Sequence, residues 1–332
     1  MRNILEVKNL TIHFKSDFGV VKAVDNVSFN LAEGSVLGLV GESGSGKSVL
    51  VRAILGLTPA ESIVKLSGEI LFDGIDLLKR SERQLNRDVR GKRISMVFQD
   101  PMTALNPVMT IGQQICDSMR IHLNLTAKQA RERALDLLHR VGIPKPSERL
   151  DSYPHQLSGG MRQRVVIAIA LSCEPDILLA DEPTTALDVT VQAQILDLLE
   201  NLKAERQMSM IMVSHDLGLV SSRADTVAVM YSGGLAEIAN ADTIFESPRM
   251  PYTRGLLDSI PDIKMPSHTR LKTIPGRPAQ GSGVDTGCRF ESRCARAIAA
   301  CKVSVPPLSF DPSDASHAWA CFNPIEIGGE SR

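Results

Sequence analysis

The sequence predicts an α/β protein with a mostly parallel core, an antiparallel β flank, a helical subdomain and a small loop-rich C-terminal region. Three observations carry that expectation. First, the apolar run Val36-Leu37-Gly38-Leu39-Val40 leads into Gly41-Glu42-Ser43-Gly44-Ser45-Gly46-Lys47-Ser48 and then Val49-Leu50-Val51-Arg52-Ala53-Ile54-Leu55: a strand, a glycine-rich turn and a helix. Second, strand-like and helix-like runs alternate from Leu37 onward. Third, the apolar run Ile177-Leu178-Leu179-Ala180 delivers Asp181-Glu182 at its carboxyl end, the edge where open parallel sheets place ligands.

In chain order, Ile4 to Val40 alternates apolar and polar residues and reads as an antiparallel layer, broken at Ser16-Asp17-Phe18-Gly19. Phe18 either packs in this hairpin or stacks on an adenine ring. The turn from Gly41 to Ser48 fits G-x-x-x-x-G-K-[ST] in the strand-to-helix context that a phosphate loop requires. Gly41, Gly44 and Gly46, with Ser43 and Ser45 between them, let backbone N–H groups converge on an anion at the positive end of the new helix. Lys47 is placed to reach the β- and γ-phosphates, and Ser48 to ligate Mg²⁺. A nucleoside triphosphate, ATP or its like, is the expected ligand.

Ser67 to Leu77 continues the strand-and-turn pattern. Lys79 to Arg93 is basic, but Glu82 and Asp88 interleave with its cations, so a solvated helical face is expected there. Ile94 to Phe98 is a short buried strand ending at Gln99-Asp100-Pro101. Helical spacing runs from Thr110 to His155, with Gly142 and Pro144 as breakers. Ser158 holds an N-cap-like position before Val165 to Leu171, which leaves the amides of Gly159 and Gly160 open to an anion. Two adjacent acids at the end of a buried strand are costly unless they handle a cation or a proton. Asp181 suits Mg²⁺ and Glu182 suits a general base toward water. A helix from Val189 to Glu205 follows, then a strand from Met208 to Ser214 that ends at His215-Asp216. From Pro248 onward prolines and glycines mark a linker-like tail.

Composition narrows the function class. With 332 residues, 43% hydrophobic, 23% charged and a formal net charge of −1, the chain has the material for a large core and lacks the excess charge of a nucleic-acid polycation. Its charged start does not resemble a signal peptide, and no apolar run approaches the ~18 residues of a membrane helix. A soluble cytoplasmic chain is expected, with any pore on another polypeptide. Cys116 and Cys173 stand alone, whereas Cys288, Cys294, Cys301 and Cys321 crowd the C-terminal end. In a reducing compartment such a cluster points to metal more readily than to disulfides.

Taken together, the phosphate loop, Gln99, Leu157-Ser158-Gly159-Gly160-Met161, Asp181-Glu182, Ala186-Leu187-Asp188 and His215 resemble the ATP-binding subunits of ABC transporters, over about residues 4–250. The resemblance implies a head-to-tail dimer in which ATP on the loop of one subunit is capped by Ser158, Gly159 and Gly160 of the other. It further implies that Gln99 senses Mg²⁺ and the attacking water, Asp181 supports Mg²⁺, Glu182 polarises the water, Asp188 bridges the two sites and His215 contacts the γ-phosphate. Within the family, Gln99-Asp100-Pro101-Met102-Thr103-Ala104-Leu105-Asn106-Pro107, the stretch Tyr153 to Met161 and the tail are most similar to the dipeptide/oligopeptide importer group. That group usually shows His-Pro-Tyr-Thr after the core; here Met250-Pro251-Tyr252-Thr253 departs from it, read as a surface change.

The implied organisation is an ATPase domain over 1–250 with a helical subdomain at about 100–160, then a C-terminal importer-type domain over 251–332. The four tail cysteines are similar to the set that holds a [4Fe–4S] cluster in members of this group. Chemistry alone leaves zinc and free thiols open, because neither paired C-x₂-C nor ferredoxin spacing is present. The implied function is the ATP-hydrolysing energy-coupling subunit of a peptide importer at the cytoplasmic face of the inner membrane. Its implied partners are a second ATPase, identical or related, two membrane permeases and, indirectly, an external substrate-binding protein; no nucleic acid is expected. The same role with glutathione, an opine or a nickel chelate as cargo is a second reading, and a soluble ABC ATPase of DNA repair or translation a third. The third class typically carries a long coiled-coil insertion or two cores, and this chain has neither.

Overall fold

The computed structural model describes residues 2–17, 19–184, 188–261, 273–277 and 286–326. It divides into two compact units. One comprises Ala32–Ser35 and Lys79–Val213; the other comprises Asn3–Leu31, Val36–Leu78 and Ser214–Arg332.

The first unit is built on three parallel strands, Ile94–Val97, Ile177–Asp181 and Ser209–Ser214, with the middle one paired to both neighbours. Their residues are almost all buried, as the unbroken apolar runs require of a parallel sheet covered on both faces. Helix Gly159–Leu171 packs against the first of these strands and against helices Ile111–Leu123 and Ala127–Arg140. Its residues from Val165 to Ala168 are buried on successive sides, so this is an interior helix without a polar stripe.

The segment expected to be helical from Thr110 to His155 is divided into helices Ile111–Leu123, Ala127–Arg140 and Pro146–Arg149. Thr110 and Thr126 each accept the backbone N–H three residues on, from Gln113 and Gln129, whose side chains reach back to the threonine N–H. The basic stretch from Lys79 is α-helical only over Glu82–Asp88, with Ser81 and Gln84 forming a third such box. Leu85 of that helix is buried, while Arg90 pairs with Glu82 at its surface.

In the second unit, Asn3–Ser16 lies between Gly19–Ala32 and Ile63–Phe72, and Ile75–Asp76 completes a four-stranded sheet. The expectation that the antiparallel layer extends to Val40 is corrected here. Val36–Val40 pairs in parallel with Thr226–Tyr231. The reason lies in its pattern: five consecutive buried residues cannot serve a sheet that alternates buried and exposed positions. Thr226–Tyr231 continues antiparallel to Gly234–Asn240, and this pairs with Ala318–Trp319 from the tail.

The tail is anchored by buried polar contacts. Glu237 and His317 meet at 2.8 Å, both essentially inaccessible. The same carboxylate accepts the amides of Arg249 (2.6 Å) and Met250 (3.1 Å). Met250, expected at the surface, is 4% exposed. The backbone amide makes the polar contact, so the side chain is left to pack.

Among the described residues no helix is long and apolar enough to cross a membrane. Replacing Thr126 by Ala removes one helix cap and should destabilise the chain by about 1 kcal/mol. Urea unfolding followed by circular dichroism checks this, and an unchanged midpoint would remove the cap from the account.

Candidate functional site

The phosphate-loop residues belong to the second unit, where close backbone approaches shape the turn. Gly41 has φ +150° and Gly46 has φ +102°. A Cβ on Gly41 would stand 2.2 Å from the carbonyl oxygen of Met230, and one on Gly46 would stand 2.1 Å from that of Ala23. Both distances are impossible, so the loop sits this tightly against its neighbours only because it lacks side chains there. Gly44 also has positive φ, yet a Cβ there meets nothing within 4 Å.

Lys47, 4% exposed, opens helix Lys47–Ile54. Its Nζ donates to the carbonyls of Gly41 (2.8 Å) and Glu42 (3.0 Å) and to Ser45 Oγ (3.4 Å). A buried ammonium is tolerated when oxygens satisfy its three donors. The loop thus keeps a positive charge at its centre beside the exposed Ser43 and Gly44. Ser48, half-buried, follows in the first helical turn.

The acidic pair belongs to the first unit. Asp181 ends its strand fully buried, and Glu182 follows with φ +47°, a left-handed conformation that costs a non-glycine residue about 1–2 kcal/mol. Two hydrogen bonds hold it there. Its amide donates to the Val213 carbonyl at 3.1 Å, and Gln99 Nε2 donates to its Oε2 at 3.1 Å. Gln99 and Glu182, predicted separately from sequence, therefore touch.

Ser158 caps helix Gly159–Leu171 by accepting the Met161 amide at 3.4 Å. Ser158 and Gly159 are exposed and Gly160 is half-buried, so this helix start faces solvent. Asp188 is exposed and caps Val189–Arg206 through the Val191 amide at 2.9 Å. It therefore has a local structural role in addition to any bridging one. His215, in the second unit, is exposed just beyond Ser209–Ser214. Phe18, Ala186 and Leu187 lie outside the described residues.

All six cysteines are free. Burial pushes the Cys288 and Cys294 thiols up. Cys321 is pushed up to about 11, by burial first, with the nearby Cys288, Cys294 and Cys301 adding to it. The Cys288 amide also donates to the Cys301 carbonyl at 2.7 Å. The four thiols are neighbours, yet among the described residues no group of three or more His, Cys, Asp or Glu side chains is arranged to hold a metal ion.

Sequence reasoning missed what surrounds Glu42. Arg293 grips its carboxylate with both guanidinium nitrogens, and Tyr252 Oη accepts its amide at 2.9 Å. Tyr252, Tyr231 and Phe290 pack as an aromatic cluster with ring centres 4.6 to 5.3 Å apart. The Pro251-Tyr252-Thr253 motif was the visible signal; the arginine among tail cysteines gave none.

Residues 24–185 match the family model described as ABC transporter, and residues 236–301 match the one described as oligopeptide/dipeptide transporter, C-terminal region. The chain is 49% identical to the dipeptide transport ATP-binding protein DppD of Bacillus subtilis, over 97% of this chain and 95% of that protein. It is 45% identical to the oligopeptide transport ATP-binding protein OppD of Escherichia coli, over 97% and 94% respectively. Among solved structures, a dimeric post-hydrolysis state of the ATP-binding cassette MJ0796, bound to ADP and Pi, matches with a TM-score of 0.64 and 29% identity, covering 71% of this chain and 98% of that one.

The two glycines separate shape from conformation. Gly46→Ala should abolish nucleotide binding, because backbone must move to admit the methyl group. Gly44→Ala should cost only about 1 kcal/mol of stability. Titration with a fluorescent ATP analogue, alongside thermal unfolding, distinguishes them, and equal effects would contradict the packing described.

Proposed function

The chain belongs to the ATP-binding subunits of ABC transporters, and we propose that it powers an importer of dipeptides or oligopeptides by hydrolysing ATP. What carries this reading is that the likeness to peptide-transport ATP-binding proteins covers 97% of the chain, beyond the ATPase core and into the C-terminal region.

In this reading Gly41, Ser43, Gly44, Ser45, Gly46 and Lys47 bind the phosphates of ATP, and Phe18 stacks on its adenine. Ser48, Gln99 and Asp181 hold Mg²⁺, which neutralises phosphate charge when bound. Glu182 takes up the proton of the attacking water, Gln99 orients that carboxylate and the water, and His215 donates to the γ-phosphate. Hydrolysis of this kind needs positioning and charge stabilisation more than covalent chemistry. The Gln99–Glu182 hydrogen bond supplies part of that positioning.

The exposed helix start at Ser158, Gly159 and Gly160 supplies unsatisfied amides to ATP on a partner ATPase, and Asp188 links the two sites. ATP then favours the closed dimer because both faces bind it, and hydrolysis removes that differential affinity. The dimer drives two permeases fed by an external substrate-binding protein, with this chain peripheral at the cytoplasmic membrane face. The division into an ATPase domain over 1–250, with its helical subdomain at about 100–160, and an importer-type domain over 251–332 follows the same reading.

For the tail we infer a [4Fe–4S] cluster held by Cys288, Cys294, Cys301 and Cys321. What supports the reading is the nearness of the four thiols to one another, thiolates being the ligands of such clusters.

Glu182→Gln should retain ATP binding, lose hydrolysis by about 10²-fold or more and accumulate as a closed dimer, which size-exclusion chromatography with ATP reads directly. Its copurification with multi-span permeases from membranes supports the importer role, and recovery with ribosomes or DNA would overturn it. Cys294→Ser should lower the iron content of anaerobically purified protein, and unchanged iron would remove the cluster.

A further inference from the structure

We propose that Arg293 is a positioning residue for the phosphate loop, reaching it from the cysteine-bearing tail and setting its affinity for the nucleotide. The inference rests on the ATPase reading above and adds a residue to it. Arg293 Nη1 donates to Glu42 Oε2 at 2.6 Å and Nη2 to Oε1 at 2.9 Å. The guanidinium is itself fixed. Its Nε donates to the Pro275 carbonyl at 2.8 Å, Nη1 also reaches Tyr231 Oη at 3.3 Å, and the cation lies 5.7 Å from the centre of the Tyr231 ring. The Arg293 side chain is only 3% exposed. A planar fork held this way fixes direction as well as charge.

Glu42 is the second residue of the phosphate loop, and every polar group it carries is engaged. Its carboxylate takes Arg293, its amide donates to Tyr252 Oη, and its carbonyl accepts from both the Ser45 amide and Lys47 Nζ. A shift of Glu42 is therefore transmitted to the ammonium expected to meet the phosphates. Two physical effects favour binding. Glycine-rich loops lose much conformational entropy on ordering, and a loop held in shape beforehand spares the ligand that cost. An acidic side chain beside a polyanion site is also repulsive, and the guanidinium neutralises it. Both effects originate in a turn, Glu291–Arg293, that leads directly into Cys294. The tail thus has a direct mechanical and electrostatic route to the loop.

The test measures ATP-analogue affinity, KM and kcat for the full-length chain carrying Arg293→Ala, Arg293→Lys, Glu42→Ala, or both alanine changes. Lys47→Ala serves as the marker for the site itself: loss of binding there, against binding in the unaltered chain, secures the ATPase reading independently. Arg293→Ala should weaken binding about tenfold and raise KM more than it lowers kcat. Arg293→Lys, which keeps the charge and loses the fork, should fall between. The double change should be no worse than Arg293→Ala alone, because Glu42 no longer needs neutralising. A residue that merely anchors the tail would lower the unfolding midpoint and leave KM untouched, and that result overturns the proposal. If Arg293→Ala does not fold, Arg293→Lys decides: unchanged affinity in that variant refutes the positioning role.

Discussion

The phosphate loop depends on a steric condition: two backbone carbonyls, from Ala23 and Met230, approach it so closely that no Cβ fits at Gly46 or Gly41. One carbonyl comes from the antiparallel sheet and the other from the strand paired with Val36–Val40. The loop is thus wedged between two elements, which lets a chain of small, conformationally free residues keep one shape. Lys47 depends on this wedge, since its buried ammonium is satisfied by oxygens that the loop itself presents. Without the close approach, the glycines would contribute only disorder.

A different device operates at the acidic strand end. Glu182 departs from ordinary backbone geometry and is held there by Val213 and Gln99. Gln99 follows a strand paired with the one that carries Asp181, so sheet register brings together two side chains 83 residues apart. Loop and acid therefore reach order by opposite routes, the first by removing side chains and the second by straining one. Both routes cost stability, the first in backbone entropy and the second in strain.

Most of the fold was legible because its signals are local. Unbroken apolar runs gave the parallel strands, and apolar residues at three- and four-residue spacing gave the helical segment that begins at Thr110. The boundary of the antiparallel layer was misplaced because Val36–Val40 adjoins it in sequence while its pairing partner lies at Thr226–Tyr231. Met250 was misread for a related reason: its burial follows from contacts with Glu237, which no local pattern encodes. Of the predicted site residues, those defined by a loop or a strand end were found as residue types in the right setting. The ion pair between Glu42 and Arg293 spans 251 residues; Glu42 fills an unspecified position of the phosphate-loop pattern and Arg293 lies in no motif.

The contacts of the tail argue against regarding it as a passive appendage. A peripheral extension would be expected to attach through exposed ion pairs, each worth little. Here the attachments are buried and polar: Glu237 with His317 and two backbone amides, and Arg293 with Glu42, Tyr231 and Pro275. Buried polar groups penalise any misfit, since each one left unpaired costs about 1–3 kcal/mol. A set so exacting fixes one docking arrangement, and that arrangement ends at the second residue of the phosphate loop. The structural reason for joining such a tail to an ATPase is therefore found at Glu42, where its order becomes the order of the loop.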